Sequence, residues 1–242
     1  YIWEDDEHPT GLASILVEEN GKNRIIVYPG ANNYITPADN EEPFTCYPDA
    51  VYMQLEIPFD AVVEATRRAN EADIPVFIDA GPASVDYDLS RLGRVEIFSP
   101  NESETRVFTG ITPNSEENCL RAAIKLSTLV NAQYILLKLG DRGAFLYDGR
   151  QYYTFPAEKT EVVDTTAAGD VFTAALSYWY LEKGNILKAA DFAGCAAAVS
   201  VSRAGASTSV PTLSEVIAFA KARAEEQSAE IAEAAKSEDG AQ

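Results

Sequence analysis

Two textures of apolar residues alternate along the chain from Ala50 onward. One is the short, nearly unbroken run: "AVYMQLEIP", "IPVFIDAGPA", "VEIFSP" and "QYILLKLG". Such runs suit strands buried on both faces, as in a parallel sheet. The other recurs every three or four residues, in "FDAVVEATRRANEAD", "SEENCLRAAIKLSTLVNA" and "TLSEVIAFAKARAEEQ". That spacing predicts helices with one apolar face. "ILKAADFAGCAAAVSVSRAG" is rich in small residues on all sides and predicts a buried helix. Strands alternating with helices predict an α/β fold, a mainly parallel sheet with helices on both faces.

The first fifty residues keep a different rhythm. "YIWEDDEHPTG" opens without Met, and Tyr-Ile-Trp reads as the middle of a strand, so the chain is expected to begin inside a larger fold. "LASILVE" and "RIIVY" flank "ENGKN", whose Asn20-Gly21 predicts a hairpin in an accessory sheet. "AFLYDGRQYYTF" predicts a second hairpin at Asp148-Gly149. The C-terminal helix fades into an acidic tail, expected to be frayed or disordered. The expected division is 1–36 as accessory strands, 37–224 as the main domain and 225–242 as the tail.

Composition narrows the function. With 242 residues, 46% of them apolar, the chain can build one large α/β domain with its own core, or two small ones. It has no run of 18 apolar residues and no signal-peptide pattern at Tyr1, so neither a membrane span nor secretion is expected. A net charge of −19 argues against a nucleic-acid partner. It also means that an anionic ligand needs a local cation or backbone dipoles. Cys46, Cys119 and Cys195 are scattered and odd in number, which predicts free, buried thiols in a reducing compartment, the cytoplasm. The one histidine, His8, rules out His-based triads and His-rich metal sites. A general base must then be a carboxylate, Lys, Tyr or Cys.

The densest candidate chemistry lies in "VDTTAAGDVFTAAL", Val163 to Leu176. Small residues at Ala167, Ala168 and Gly169 let a ligand approach the backbone. A helix starting there aims unpaired amides and a positive dipole end outward, which suits an anion. Asp170 in the first turn can serve as a helix cap, or as a base beside a bound phosphate. "SPNESETRVFTG" poses a similar choice: Asn101 and Glu104 have the spacing of a capping box. No G-x-x-x-x-G-K-[ST] sequence is present, so a P-loop is excluded.

Taken together, the blocks resemble the ribokinase-like (PfkB) sugar and nucleoside kinases. "VDTTAAGDVFTAAL" looks like the family signature D-T-x-x-A-G-D-x-F. "MQLEIP", "DAGPA", "SPNESETRVFTG", "LKLGDRGA" and "FAGCAAAVSVSRAGASTSVP" resemble further family blocks in the same order. The resemblance spans about Pro9 to Pro211, and it is closest to ribokinase. It implies transfer of the ATP γ-phosphoryl group to a sugar hydroxymethyl group, with Asp170 taking the hydroxyl proton. Ala167, Ala168 and Gly169 would form the anion hole. Asn101 would contact the nucleotide phosphates, and Glu104 would hold the Mg²⁺ water shell. Lys138, Leu139, Gly140, Asp141, Arg142 and Gly143 would line the nucleotide. Lys138 stands where ribokinases often carry Thr; it adds a cation near the phosphates or is solvated at the strand end. Gly194 stands where the family often has a polar residue near adenine. A K⁺ site is implied at Asp164, Thr166, Ser200, Arg203, Gly205 and Ser209.

The family's N-terminal strands and its G-G-K-G-A-N-like block have no counterpart here, so the chain is expected to be an N-terminally truncated fragment carrying the remnant of a small β lid. The lid implies a homodimer. Lys22 falls where the hairpin contacts the sugar, and it departs from the ribokinase residue type. The open alternatives are another acceptor (fructose, a keto-deoxy sugar acid or a nucleoside) and a non-catalytic nucleotide-binding module.

Overall fold

The computed structural model describes residues 2–17 and 23–239, with side chains at 2–16 and 25–229. Lys22 and the Asn20-Gly21 turn lie outside the described residues. The chain divides into two units, one of Tyr1–Leu139 with Phe145–Tyr153, the other of Gly140–Ala144 with Thr154–Gln242. The boundary therefore falls inside the expected 37–224 domain, and 1–36 belongs with the first unit.

The first unit is organised by a sheet. Strands β1 (Leu12–Val17) and β2 (Asn23–Tyr28) form a separate antiparallel pair, as the flanking sequence predicts. The main sheet has the order β3 (Val51–Met53), β4 (Val76–Asp79), β5 (Arg94–Ser99), β6 (Asn131–Lys138), β7 (Ala144–Tyr147) and β8 (Tyr152–Phe155). From β3 to β6 neighbouring strands are parallel, with Ile78 beside Phe98 and Phe98 beside Ile135. Every residue of β4 is buried, as its unbroken apolar run predicts. β3 is shorter and more exposed than the buried strand expected from "AVYMQLEIP". Among the described residues it is an edge strand, with β4 as its one neighbour.

Helix α1 (Phe59–Glu71) and helix α3 (Glu116–Leu129) lay their small apolar residues on this sheet. Val62, Ala69, Ala122 and Leu126 join Ile78, Phe98, Ile135 and Leu137 in one core. Each such large side chain, fully withdrawn from water, contributes about 1.5–3 kcal/mol. The short α2 (Glu102–Thr109) starts at the Asn101 cap and stops at Gly110 in the left-handed region.

The second unit is helical. It contains α4 (Ala168–Lys183), α5 (Ile186–Val201) and α6 (Leu213–Asp239). α5 is buried on most sides, as its Ala-rich sequence predicts. Val171, Phe192, Cys195, Ala196 and Val216 form its core, and Trp179 stacks on Phe192.

One expectation needs correction. Ile2 and Trp3 are in no strand, and Ile2 is 93% exposed, because no strand pairs with them among the described residues. Helix α6 continues through the acidic tail as far as Asp239. Its "AEEQSAEIAEAAK" is built almost wholly of strong helix formers.

Candidate active site

Parallel strands end on the same edge, so Asp79 of β4, Ser99 of β5 and Lys138 of β6 share the carboxyl edge of the sheet. Ligands of open α/β sheets bind beyond that edge. Asn101 continues β5 into a single parallel bridge with Lys138. The Asn101 side chain accepts from the Glu104 amide at 2.9 Å and donates to Glu104 Oε1 at 2.7 Å. Glu104 Oε2 in turn accepts from the Asn101 amide at 2.6 Å. The capping alternative for this pair is thus realised in the structure, and it leaves the carboxylate half-buried at the sheet edge.

Two features here escaped sequence reasoning. Lys138 Nζ meets Asp79 Oδ1 at 2.5 Å, and the two side chains are 13% and 5% exposed. The pair crosses over the end of β5, where Ser99 is fully buried. The available signal was an acid closing an otherwise apolar strand, a residue type that is seldom buried unpaired. Gly81 follows Asp79 closely, and a Cβ there would sit 2.5 Å from Glu104 Oε1. A side chain at this position would require that carboxylate to shift.

The second unit gathers most of the remaining candidates. Asp164 Oδ1 accepts from the Thr166 amide at 2.9 Å and the Thr166 hydroxyl at 2.7 Å, and Oδ2 accepts from the Gly205 amide at 2.9 Å. The Thr166 hydroxyl, then the Gly205 and Thr166 amides, hold the Asp164 carboxyl below the usual carboxylate range. The Val163 and Asp164 amides both donate to the Val201 carbonyl at the end of α5. Close by in the chain, the Ser200 and Ser209 hydroxyls are 3.1 Å apart, and the Arg203 amide donates to the Ser200 carbonyl. Asp164, Thr166, Ser200, Arg203, Gly205 and Ser209 thus occupy one neighbourhood. The Arg203 guanidinium itself turns to Glu215, at 2.6 Å.

This neighbourhood leads directly into the start of α4. Ala167 is its N-cap, with φ 61° and ψ 6° and no side-chain cap. The left-handed conformation costs an L-residue about 1–2 kcal/mol. Strain of this kind collects where backbone must face a ligand. The Ala168 amide donates to the Thr165 carbonyl at 3.2 Å. The Gly169 and Asp170 amides lie in the first turn, where no helical carbonyl stands four residues back. Asp170 is exposed in that turn.

The 138–143 block is divided. Lys138 and Leu139 belong to the first unit, and Gly140 to Gly143 to the second. Gly140–Arg142 is a single 3₁₀ turn. A cavity of about 130 Å³ in the second unit is lined by Phe155, Glu158, Ala190, Gly194, Arg223 and Gln227, among others. Arg223 reaches Glu158 and Asp191 across it. Gly194 opens its floor: a Cβ there would meet nothing nearer than Glu158 Cγ, at 4.0 Å. Among the described residues there is no cluster of three or more His, Cys, Asp or Glu able to hold a metal, and no helix long and apolar enough to cross a membrane.

Residues 1–213 match the family described as "pfkB family carbohydrate kinase". The chain is 35% identical over 215 residues to a bifunctional ribokinase/ribose-5-phosphate isomerase A of Fructilactobacillus sanfranciscensis, covering 87% of this chain and 39% of that protein. Its structure resembles the Thermotoga maritima ribokinase with a TM-score of 0.76 and 35% identity, covering 88% of this chain and 70% of that one. The Arabidopsis thaliana ribokinase complexed with ribose and ATP gives a TM-score of 0.76 and 30% identity, with the same shares covered.

Proposed function

This chain belongs to the pfkB family of carbohydrate kinases, and from that premise we propose that it serves ATP-dependent transfer of a phosphoryl group to the hydroxymethyl group of a sugar. One observation carries the reading. Residues 164–170 run from a carboxylate fixed by three hydrogen bonds, through a left-handed Ala167, to an exposed Asp170 in the first turn of α4.

In this reading Asp170 accepts the proton of the attacking hydroxyl. The amides of Ala167 and Gly169 face the charge on the transferring group, and Ala168 joins them by giving up its long bond to Thr165. Backbone donors already in place need no reorganisation as charge develops. Asp170 and Lys22 are the proposed sugar contacts. Asn101 and the 138–143 block are assigned to the nucleotide. The cavity floored by Gly194 has room for the base.

Two cations belong to the proposal. Glu104, whose oxygens are already engaged by Asn101, fits a role in ordering the water shell of Mg²⁺. That ion would neutralise charge on the phosphates. The Asp164, Thr166, Ser200, Arg203, Gly205 and Ser209 neighbourhood offers hydroxyls, carbonyls and one carboxylate, all hard oxygen donors. It fits K⁺, which would strengthen the local positive field beside the anion hole. The three free thiols fit a cytoplasmic home, and the net charge of −19 fits a protein without a nucleic-acid partner. The exposed Leu12, Leu16, Ile25 and Ile26 of β1 and β2 fit a homodimer.

The test is ADP formation from MgATP with K⁺ over a panel headed by ribose and fructose, using the full reading frame that contains this chain. Sugar-dependent turnover is expected. Asp170→Asn should lower it by about 10²–10⁴-fold while the fold is kept. Nucleotide binding with no turnover on any sugar would reduce the assignment to a nucleotide-binding module.

A further inference from the structure

We infer that Glu158 and Arg223 form a strap over the cavity floored by Gly194, which opens to admit the base of the phosphoryl donor and closes on it, with Asp191 as the fixed anchor of the arginine. This rests on the kinase reading above, which puts the base in that cavity. Three observations lead there.

The first is space. The cavity measures about 130 Å³. A cavity of about 150 Å³ encloses a single six-membered ring, and a purine has two fused rings. Glycine at 194 already clears the floor. The wall that has to give is the one where Arg223 crosses to Glu158.

The second is the way the arginine is held. Its Nη1 and Nη2 donate to the two Asp191 oxygens at 2.9 and 2.7 Å. A two-pronged contact of this kind is the stronger one. Glu158 takes a single bond, from Nη1, and shares that nitrogen with Asp191. Asp191 and Arg223 stand on α5 and α6, which pack together through Cys195, Ala196 and Val216. Glu158 stands between β8 and α4 in a stretch with no helix or strand, and Pro156, Ala157 and Lys159 around it are exposed. Glu158 can therefore leave with the loss of one bond while Arg223 stays on Asp191. Holding α6 on α5 does not account for the Glu158 arm, because the Asp191 pair already spans those two helices.

The third is a donor left over. Arg223 Nε is buried and has no hydrogen-bond partner among the described residues. A buried donor without an acceptor disfavours the closed arrangement. Ring nitrogens of a purine are acceptors, and a small turn of the guanidinium would bring Nε to one.

Stopped-flow binding of adenosine, labelled on its ribose with a methylanthraniloyl group, tests this on the full reading frame that contains this chain, without any sugar. Opening of the strap limits entry, so the wild-type association rate should level off as ligand rises. Glu158→Gln keeps the shape and removes the charge. It should raise that plateau and the dissociation rate about tenfold each, the size of one charge-assisted hydrogen bond, and Arg223→Gln should do the same. Affinity should move much less than either rate, and the thermal midpoint of Glu158→Gln should stay close to that of wild type. A role confined to stability would lower the midpoint and leave both rates alone. Gly194→Leu fills the cavity from its floor and should abolish binding. Unchanged rates in Glu158→Gln overturn the inference and leave the kinase reading standing, as does a Gly194→Leu protein that binds adenosine like wild type. Glu158 lies outside any helix or strand, so its variant decides the matter if Arg223→Gln fails to fold. A wild-type protein that binds neither adenosine nor MgATP overturns both.

Discussion

At Gly143 one methyl group decides the local fold. The residue has φ 86°, and a Cβ there would stand 1.9 Å from the Phe155 carbonyl oxygen. Gly149, at φ 88°, has nothing within 4 Å. Both positions carry the conformational strain of an L-residue at positive φ, but only Gly143 adds a collision with backbone. Gly149→Ala should therefore cost about 1 kcal/mol, and Gly143→Ala about 2 kcal/mol or more beyond it. Urea denaturation of the two variants checks the order, and equal losses would show that the collision relaxes. Ala167 bears the opposite relation: it keeps its side chain at φ 61°, so its backbone is held by its surroundings rather than by glycine's freedom.

Among the elements, α6 is tied down at its start. Glu215 accepts from the Thr212 amide at 2.7 Å and the Thr212 hydroxyl at 2.8 Å, and the Thr212 hydroxyl accepts weakly from the Glu215 amide at 3.4 Å. Arg203 adds a bond from its guanidinium at 2.6 Å. Arg203 first, then Thr212, lowers the Glu215 carboxyl to about 2. A folded-state value below the ordinary 4.5 contributes stability that is complete above that pH and lost as pH falls toward about 2. Glu215→Gln should therefore lower stability at pH 6 and flatten its fall between those two values. Denaturation midpoints measured at several pH values give both slopes, and parallel slopes for wild type and variant would refute the assignment. The Asn101–Glu104 box at α2 has the same construction, and there the carboxylate lies at the sheet edge.

Across the whole chain the three thiols differ sharply. Cys119 and Cys195 are buried as expected, but Cys46 is exposed, which corrects the expectation of three buried thiols. Burial pushes the Cys195 thiol up to about 11, with Arg223 pulling the other way. Only a thiolate attacks an alkylating reagent. At pH 7.5 the native protein should take up one equivalent of iodoacetamide quickly, at Cys46, and three after unfolding. Mass spectrometry of the peptides identifies the site. Rapid labelling at Cys195 would mean that α5 opens often, contrary to its burial among Phe192, Ala196 and Val216.

Local pattern and local chemistry were enough to determine much of this protein. The period of its apolar residues marked the helices, the unbroken runs marked β4 to β6, and the Asp148-Gly149 pair marked a hairpin, because each depends on neighbours a few residues away. The ordered motif blocks pointed to the carbohydrate-kinase family, which the matches over residues 1–213 bear out. The tertiary structure alone decided what meets across distance. Asp79 finds Lys138 from 59 positions away, and Asp164 finds Gly205 from 41. It also set β3 at the sheet edge, where an apolar run forms only a three-residue strand, since burial depends on how many neighbours the fold supplies. Propensity acts through the bonds of a residue's own segment, so it was visible in the letters. Pairing of charges and exposure of strands depend on which strands lie side by side, and only the folded sheet settles that.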